Sequence, residues 1–418
     1  MKARASNLIL VLGFAAAAVH ASETLSVVPD TAQALGIVGA RYANLTDASA
    51  VRISPANILR TDKAELLLNT ALWYGDVRFD SNLGGSAQMN RPWIFPASAY
   101  FVQPIIPGRL SFGIGVSTPY GMAASYPENM PAPLRYALPY QTRLLTVDIT
   151  PALAVKVTDN LSVAAGLDIM YADLKFKRFY DWSAWVPGSP EGDVSVHGQG
   201  WGLGAYAGVN WTSTSKRHRI AVVGRLPVKI NFGGDFKSNN MPPALLGLGL
   251  SQSSTFNSDM TFPGSISVGY GFDVTDRFTV GFDFKWAANS SHDDLPLQIG
   301  NNQPLLGGAT SSVFGWRNSI DLGTGMTYQL NENWVVRGGY LFSENAQPAA
   351  YYTPVAPSND RHIFSLGVGW RGKTRGVDLT YAYVWSPVRV ISGNVVAPLD
   401  GRLKHEWNVL AVSFTQRF

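Results

Sequence analysis

The chain has 418 residues, a formal charge of +4, and only 15% charged residues beside 12% aromatic ones. A soluble domain usually carries about a quarter charged residues, and no basic cluster marks a nucleic-acid surface. Cysteine is absent, which excludes a disulfide framework and thiol chemistry.

The first elements are an address rather than a fold. Lys2 and Arg4 open the chain, an apolar run fills 8–19, and Val19-His20-Ala21 offers a small-residue cleavage site. That run is shorter than the roughly 20 residues a membrane helix needs, so residues 1–21 read as a cleaved export signal. Loss of Lys2 and Arg4 lowers the mature charge to about +2. Residues 35–60 follow, small and poorly periodic, with Pro55 near their end. They make a poor strand and a poor helix. If the rest of the chain closes into a barrel, the compact segment 22–62 becomes a candidate to sit inside and block the lumen.

From residue 63 to 418 the pattern is alternation. Phe278, Val280, Phe282, Phe284 and Trp286 oppose Thr279, Gly281, Asp283 and Lys285; Val377, Leu379, Tyr381, Tyr383 and Trp385 oppose Asp378, Thr380 and Ala382. Ile266, Val268 and Tyr270 alternate with Ser265, Ser267 and Gly269, and Leu410, Val412 and Phe414 with Ala411, Ser413 and Thr415. Period two puts the two sets on opposite faces of a strand. Such segments occur near 64–79, 92–105, 109–121, 142–157, 160–179, 197–214, 217–233, 261–273, 276–290, 315–330, 333–345, 361–373, 375–390 and 403–418. They number about fourteen, and single-chain outer-membrane barrels use even numbers. Tight turns such as Asp159-Asn160, Thr275-Asp276 and Asn331-Glu332 alternate with long loops. The fold expected is a transmembrane antiparallel β-barrel, up and down, with an N-terminal hatch.

Two long loops are unusually apolar: 122–141, with Tyr126, Met130, Leu134 and Tyr136, and 241–250, MPPALLGLGL. Exposed surfaces of this kind are binding sites or aggregation hazards. They read as a landing site over the barrel mouth, or as loops packed on each other. Within 109–121, Pro119 removes a ladder donor and Gly121 permits a bend, so Pro119-Tyr120-Gly121 reads as a strand kink or simply as a strand end.

Strand phase points to a pocket. With Leu161, Val163, Leu167, Ile169 and Tyr171 on the lipid face, Leu174, Phe176 and Arg178 point inward and Lys175 and Lys177 outward. A cation beyond two apolar residues suits a carboxylate on an alkyl chain; the plain reading is an arginine paired with a lumen acid. Arg317, in phase with Asp321, Gly323 and Gly325, also reads as inward, as do Arg225 and Lys229. Catalysis finds no support. There is no Gly-x-Ser-x-Gly elbow, the six histidines at 20, 197, 218, 292, 362 and 405 are scattered, and no metal-ligand spacing occurs. No cofactor is expected.

The residues resemble the long-chain fatty acid transporter (FadL-type) family of bacterial outer membranes, with its aromatic-hydrocarbon channel relatives. Gly36, Gly39, Asp47-Ala48 and Ser54-Pro55-Ala56 match the family's hatch motif at its spacing, with Ser54 where the family usually has Asn. Ser117-Thr118-Pro119-Tyr120-Gly121 resembles its kinked third strand, and residues 171–179 resemble its fifth. Residues 330–340 resemble a later hairpin, and Ser358-Asn359-Asp360-Arg361 falls at a Pro-Asp-x-Asp-Arg pattern. The resemblance implies residues 22–62 as hatch and 63–418 as barrel, and passive uptake of long-chain fatty acids or other hydrophobic molecules. It places Arg178 at a ligand-contacting arginine, Arg317 near a binding lysine, and the kink beside a gap through which ligand reaches the bilayer. The partners implied are a hydrophobic ligand and outer-membrane lipid with lipopolysaccharide, the protein acting as a monomer. Three other readings stay open: a channel for monoaromatic hydrocarbons, a non-transporting surface barrel serving as adhesin or receptor, and a barrel enzyme whose site is assembled from distant residues.

Overall fold

The computed structural model describes residues 31–90, 93–291, 294–306, 311–353 and 356–418; the expected signal segment 1–21 and residues 22–30 lie outside them. Fourteen wall strands follow one another: β1 Glu65–Ser81, β2 Ala97–Ile106, β3 Leu110–Ser117 resuming at Gly121–Ser125, β4 Gln141–Lys156, β5 Leu161–Tyr180 and β6 Gly192–Thr212. Then come β7 His218–Arg225 resuming at Val228–Ser238, β8 Ser253–Phe262 resuming at Ser265–Asp273, β9 Phe278–Ala287 and β10 Ser319–Gln329. The last are β11 Trp334–Ser343, β12 Arg361–Arg371, β13 Arg375–Trp385 resuming at Arg389–Ile391, and β14 Gly401–Arg417. Each pairs antiparallel with the next. β14 returns to β1, from Glu65↔Arg417 to Ser81↔Gly401, so the sheet closes and leaves no edge.

The alternation follows from the two solvents. Phe282, Ile266, Leu379 and Leu410 face lipid and are exposed, whereas Asp283, Ser267, Thr380 and Ala411 are buried inside. On β6, Trp201 and Trp211 both face outward and mark the two aromatic girdles. Two strands begin earlier than their apolar pattern, β6 at Gly192 and β8 at Ser253. Their upper ends carry polar outward residues such as Thr255, Asn257 and Asp259, so the ladder continues where the lipid signal stops. β10 starts later, at Ser319, because Gly315 takes φ +56 and breaks the strand.

The N-terminal residues form α1 Ala32–Gly36, α2 Arg41–Asn44, α3 Ala50–Ile53 and a 3-10 turn Pro55–Arg60. α1 touches β11 to β14, α2 touches β7 to β9, and the 3-10 turn touches β3 to β6. One short segment meets opposite walls only from inside, so it lies across the lumen. Its helices are too short to hold themselves. Wall side chains take over its backbone groups instead: Asp283 accepts from the Arg41 N–H (2.6 Å) and Glu65 from the Ala48 N–H (2.8 Å). Tyr206 donates its hydroxyl to the Val51 carbonyl at 2.8 Å.

Candidate functional site

Above the N-terminal segment the lumen narrows to an apolar cluster. Leu174, Met170 and Leu144 meet Val228, Ile230, Phe232 and Phe256, with Trp182 and Trp316 toward the extracellular side. Loops close over it: fully buried Trp182 donates to the Asn239 carbonyl at 2.9 Å, and the Tyr180 hydroxyl to the Leu305 carbonyl at 3.2 Å. The apolar loops cover the mouth but do not pack together. Met241 and Leu245 enter this cluster, whereas Tyr126, Met130, Leu134 and Leu138 enter a second one with Phe79 and Tyr352. What stays exposed on the second loop is a small apolar tip, Leu246 and Leu248.

Leu174 is buried in the cluster, and Phe176 and Arg178 follow it half-buried on β5. Most arginines of the lumen hold a carboxylate. Arg337 and Arg371 share Asp378 at 2.7 and 2.8 Å, Arg219 grips Asp273 at 2.5 Å, and Arg225 contacts Asp168. Arg178 makes no hydrogen bond or ion pair to any described residue, and its buried Nε is unsatisfied. A guanidinium held beside apolar side chains without a counter-ion is a costly arrangement. It becomes favourable when an anion arrives.

The other inward expectations divide. Arg225 does face the lumen. Lys229 does not: β7 skips Leu226-Pro227, so Val228, Ile230 and Phe232 take the inner face and Lys229 turns outward to Asp259 at 3.0 Å. Arg317 lies exposed in the loop ahead of β10, and its neighbour Trp316 is the residue that enters the cluster. Gly315 upsets the phase on which the inward reading of Arg317 relied.

Of the hatch-motif residues, Gly36 and Gly39 both lie against the wall, Gly36 with narrow room for a methyl and Gly39 with none. A Cβ on Gly39 would stand 2.2 Å from Thr324 N and from Tyr340 O. Asp47 is buried and accepts from the Ser49 N–H at 3.0 Å and from its hydroxyl. Ser54 caps the 3-10 turn by position only, without a side-chain bond, and Pro55 and Ala56 are buried behind it. Asn57, next in the chain, was not singled out by sequence yet ties the segment together. It donates to the Tyr42 carbonyl (2.9 Å) and accepts from Asn210 of β6 (2.6 Å).

Burial raises the Asp47 carboxyl from 3.8 to about 7, with the Ser49 hydrogen bond opposing and Glu65 and Asp378 reinforcing it. The docked segment then holds a proton that the released segment gives up. Docking is therefore strongest below about pH 4 and weakens up to about pH 7. With the intrinsic base catalysis of amide exchange divided out, the protection of residues 31–60 should fall between about pH 4 and pH 7, and Asp47→Asn should flatten that dependence. An unchanged dependence in the variant would exclude Asp47 as its cause.

β3 is interrupted at residues 118–120. β3 pairs with β4 through Ser117↔Asp148 and again from Gly121↔Leu145, so Thr118, Pro119 and Tyr120 bulge opposite two residues. Toward β2 the ladder ends at Val116↔Ala99, and among the described residues the next backbone bond above it is Asn90 N–H to Ser125 O at 2.8 Å. Thr146 bonds both the N–H and the carbonyl of Tyr120, whose ring packs on Phe262 of β8 at 4.8 Å. The wall thus opens a seam between β2 and β3, lined from within by a fixed aromatic.

A barrel with an apolar lumen cluster and a lumen-filling N-terminal segment has close structural counterparts. A Pseudomonas aeruginosa FadL homologue superposes with TM-score 0.83 at 21% identity, over 94% of this chain and 100% of that one. The Ralstonia pickettii toluene transporter TbuX superposes with TM-score 0.70 at 17% identity, over 93% and 98%. In sequence, the long-chain fatty acid transport protein of Escherichia coli O6:H1 is 24% identical over 74% of each chain. A putative outer membrane protein of Neisseria meningitidis serogroup B is 24% identical over 98% of each. Residues 9–418 match the family described as outer membrane protein transport protein (OMPP1/FadL/TodX). The chain belongs to that family, the outer-membrane channels that carry hydrophobic compounds.

Proposed function

We propose that the protein takes up long-chain fatty acids passively, the carboxylate held by Arg178 and the alkyl chain lying against Leu174 and Phe176. The unpartnered Arg178 carries this reading, because a neutral cargo has no use for an unpaired, half-buried cation. Residues 22–62 act as the hatch that keeps the lumen closed to polar solutes, and no nucleotide or metal is used. Charge-assisted hydrogen bonds contribute about 1.5–3 kcal/mol. Arg178→Ala should therefore weaken oleate binding about ten- to a hundredfold and leave methyl oleate unchanged. Calorimetry on the purified protein checks this; equal oleate affinity in both proteins would remove Arg178 from the site.

A second reading rests on the aromatic lining of the cluster, Phe232, Phe256, Phe262, Trp182 and Trp316, and on the structural likeness to the toluene transporters TbuX and TodX. Under it the cargo is a monoaromatic hydrocarbon. Toluene would then bind wild type and Arg178→Ala alike, and oleate neither.

A further inference from the structure

The wall has another break, away from the β3 kink. The β6–β7 ladder stops at Tyr206↔Arg225 and resumes at Gln199↔Gly233, leaving residues 200–205 opposite 226–232 without regular pairing. Leu226 N–H reaches Ala205 O at 2.9 Å at the edge of this stretch. The β7–β8 ladder skips the same level, from Arg225↔Ser265 to Val228↔Phe262, where Pro227 and Pro263 have no N–H to offer.

At this level β7 leaves the edge of β6 and lies on its inner face. The inward positions of β6 are all glycine there, and the clearances show why. A Cβ on Gly200 would stand 2.1 Å from Asn231 O, one on Gly202 2.6 Å from Lys229 O, and one on Gly204 2.6 Å from Val228 Cγ2. With β7 drawn inward, Trp201 and Leu203 of β6 lose their neighbour and are 62% and 67% exposed.

The inward step leaves an apolar groove of about 950 Å³ on the lipid side, lined by Leu153, Leu167, Ala205, Leu226, Pro227 and Ile266 among others. Ala205 and Ala207 lie between Trp201 and Trp211 on β6, which sets the groove at hydrocarbon depth. On the other side of the same strand, Val228 and Ile230 belong to the lumen cluster that holds Leu174. Three residues of chain, Leu226 to Val228, lead from the bilayer side to the pocket. Both sides are apolar, and no regular ladder joins the two strands at this level.

We propose that the crossing of β7 over β6 is a lateral portal, through which the alkyl chain of the cargo passes between the lumen cluster and the groove. The portal rests on the uptake reading above and adds a route that the β3 kink does not describe. The groove's occupant is the cargo's alkyl chain, because the groove's Leu226-Pro227 runs straight into Val228 of the lumen cluster and the groove matches that chain in its apolar lining.

A disulfide across the crossing tests it, and the absence of native cysteine makes such a bond the only one in the chain. A Cβ on Gly202 would lie 2.7 Å from Val228 Cγ1, close to where the sulfur of a cysteine at 228 would sit, and 2.6 Å from Lys229 O, so β7 must ease away slightly to admit the pair. In proteoliposomes, Gly202→Cys with Val228→Cys should take up oleate about tenfold more slowly when oxidised, and recover with dithiothreitol. Oxidised protein that carries oleate as fast as reduced protein, its disulfide verified by mass, overturns the portal. If the pair does not fold, Leu226→Cys carrying an environment-sensitive fluorophore replaces it. Oleate should shift its emission, and an unmoved emission beside normal uptake overturns the portal equally. Wild-type protein that fails to carry oleate at all overturns the fatty-acid reading, and the portal with it.

Discussion

Replacing Gly39 by alanine should unseat the N-terminal segment from the barrel. The new methyl would meet Thr324 N and Tyr340 O at 2.2 Å and Gly323 C at 2.6 Å. These are backbone atoms of β10 and β11, paired to each other and to their outer neighbours, so they cannot retreat as a side chain would. The segment must lift, at a cost of about 2–3 kcal/mol. Gly36→Ala is the matched control. Its methyl would face Thr380 Oγ1 at 3.2 Å and Arg337 side-chain carbons at 3.3 Å, which can yield. The expected readout is faster hydrogen exchange over residues 31–60 and entry of a large polar antibiotic, both in Gly39→Ala and weakly or not at all in Gly36→Ala. Equal behaviour of the two variants would mean that the close approach at Gly39 does not seat the segment.

The second large effect should come from Arg225→Ala. Asp148 and Asp168 are both fully buried, and Arg225 contacts Asp168 while donating to the Arg52 carbonyl at 2.7 Å. Its guanidinium also lies over the Tyr206 ring, 4.3 Å from the centroid. Arg52 approaches Asp148 only to 3.8 Å. Without Arg225, two buried carboxylates share one distant cation, and removing one partner of such a pair costs about 3–5 kcal/mol. Denaturant unfolding should show that loss, and Asp168→Asn added to Arg225→Ala should recover part of it by deleting the orphaned charge. A double variant no more stable than the single one would place the cost in lost packing against Tyr206 instead.

What could be read from sequence was whatever the bilayer imposes. Phe282, Leu379 and Leu410 had to face lipid and Asp283, Asp378 and Ser413 had to avoid it, so strand phase and strand number were legible. Pro119 announced the kink because proline has no N–H to pair. The upper ends of β6 and β8 carried no such demand, and their ladders ran past the apolar pattern. Inward direction failed as a guide where strands break. Lys229 and Arg317 were placed by phase, and the skip at Leu226-Pro227 and the turn at Gly315 reversed or ended that phase. The crossing of β7 over β6 did leave a mark, glycine at 198, 200, 202 and 204. Bare alternate positions signal a close backbone approach, but not which backbone approaches. Arg178 was legible as an inward cation; that it lacks a partner belongs to the assembled lumen.

The bonds of Ala32 bear on how the protein is built. Its N–H reaches Ser413 of β14 at 2.9 Å and Asn69 of β1 at 3.2 Å, and Ser413 in turn donates to Asn69 at 2.7 Å. Those strands meet at the seam where the first and last parts of the chain join. Before the seam forms, the partners of Ala32 belong to two distant stretches of chain, and the segment has no complete place to dock. Seating the N-terminus is thus a late event in biogenesis, and once made it staples the join it waited for.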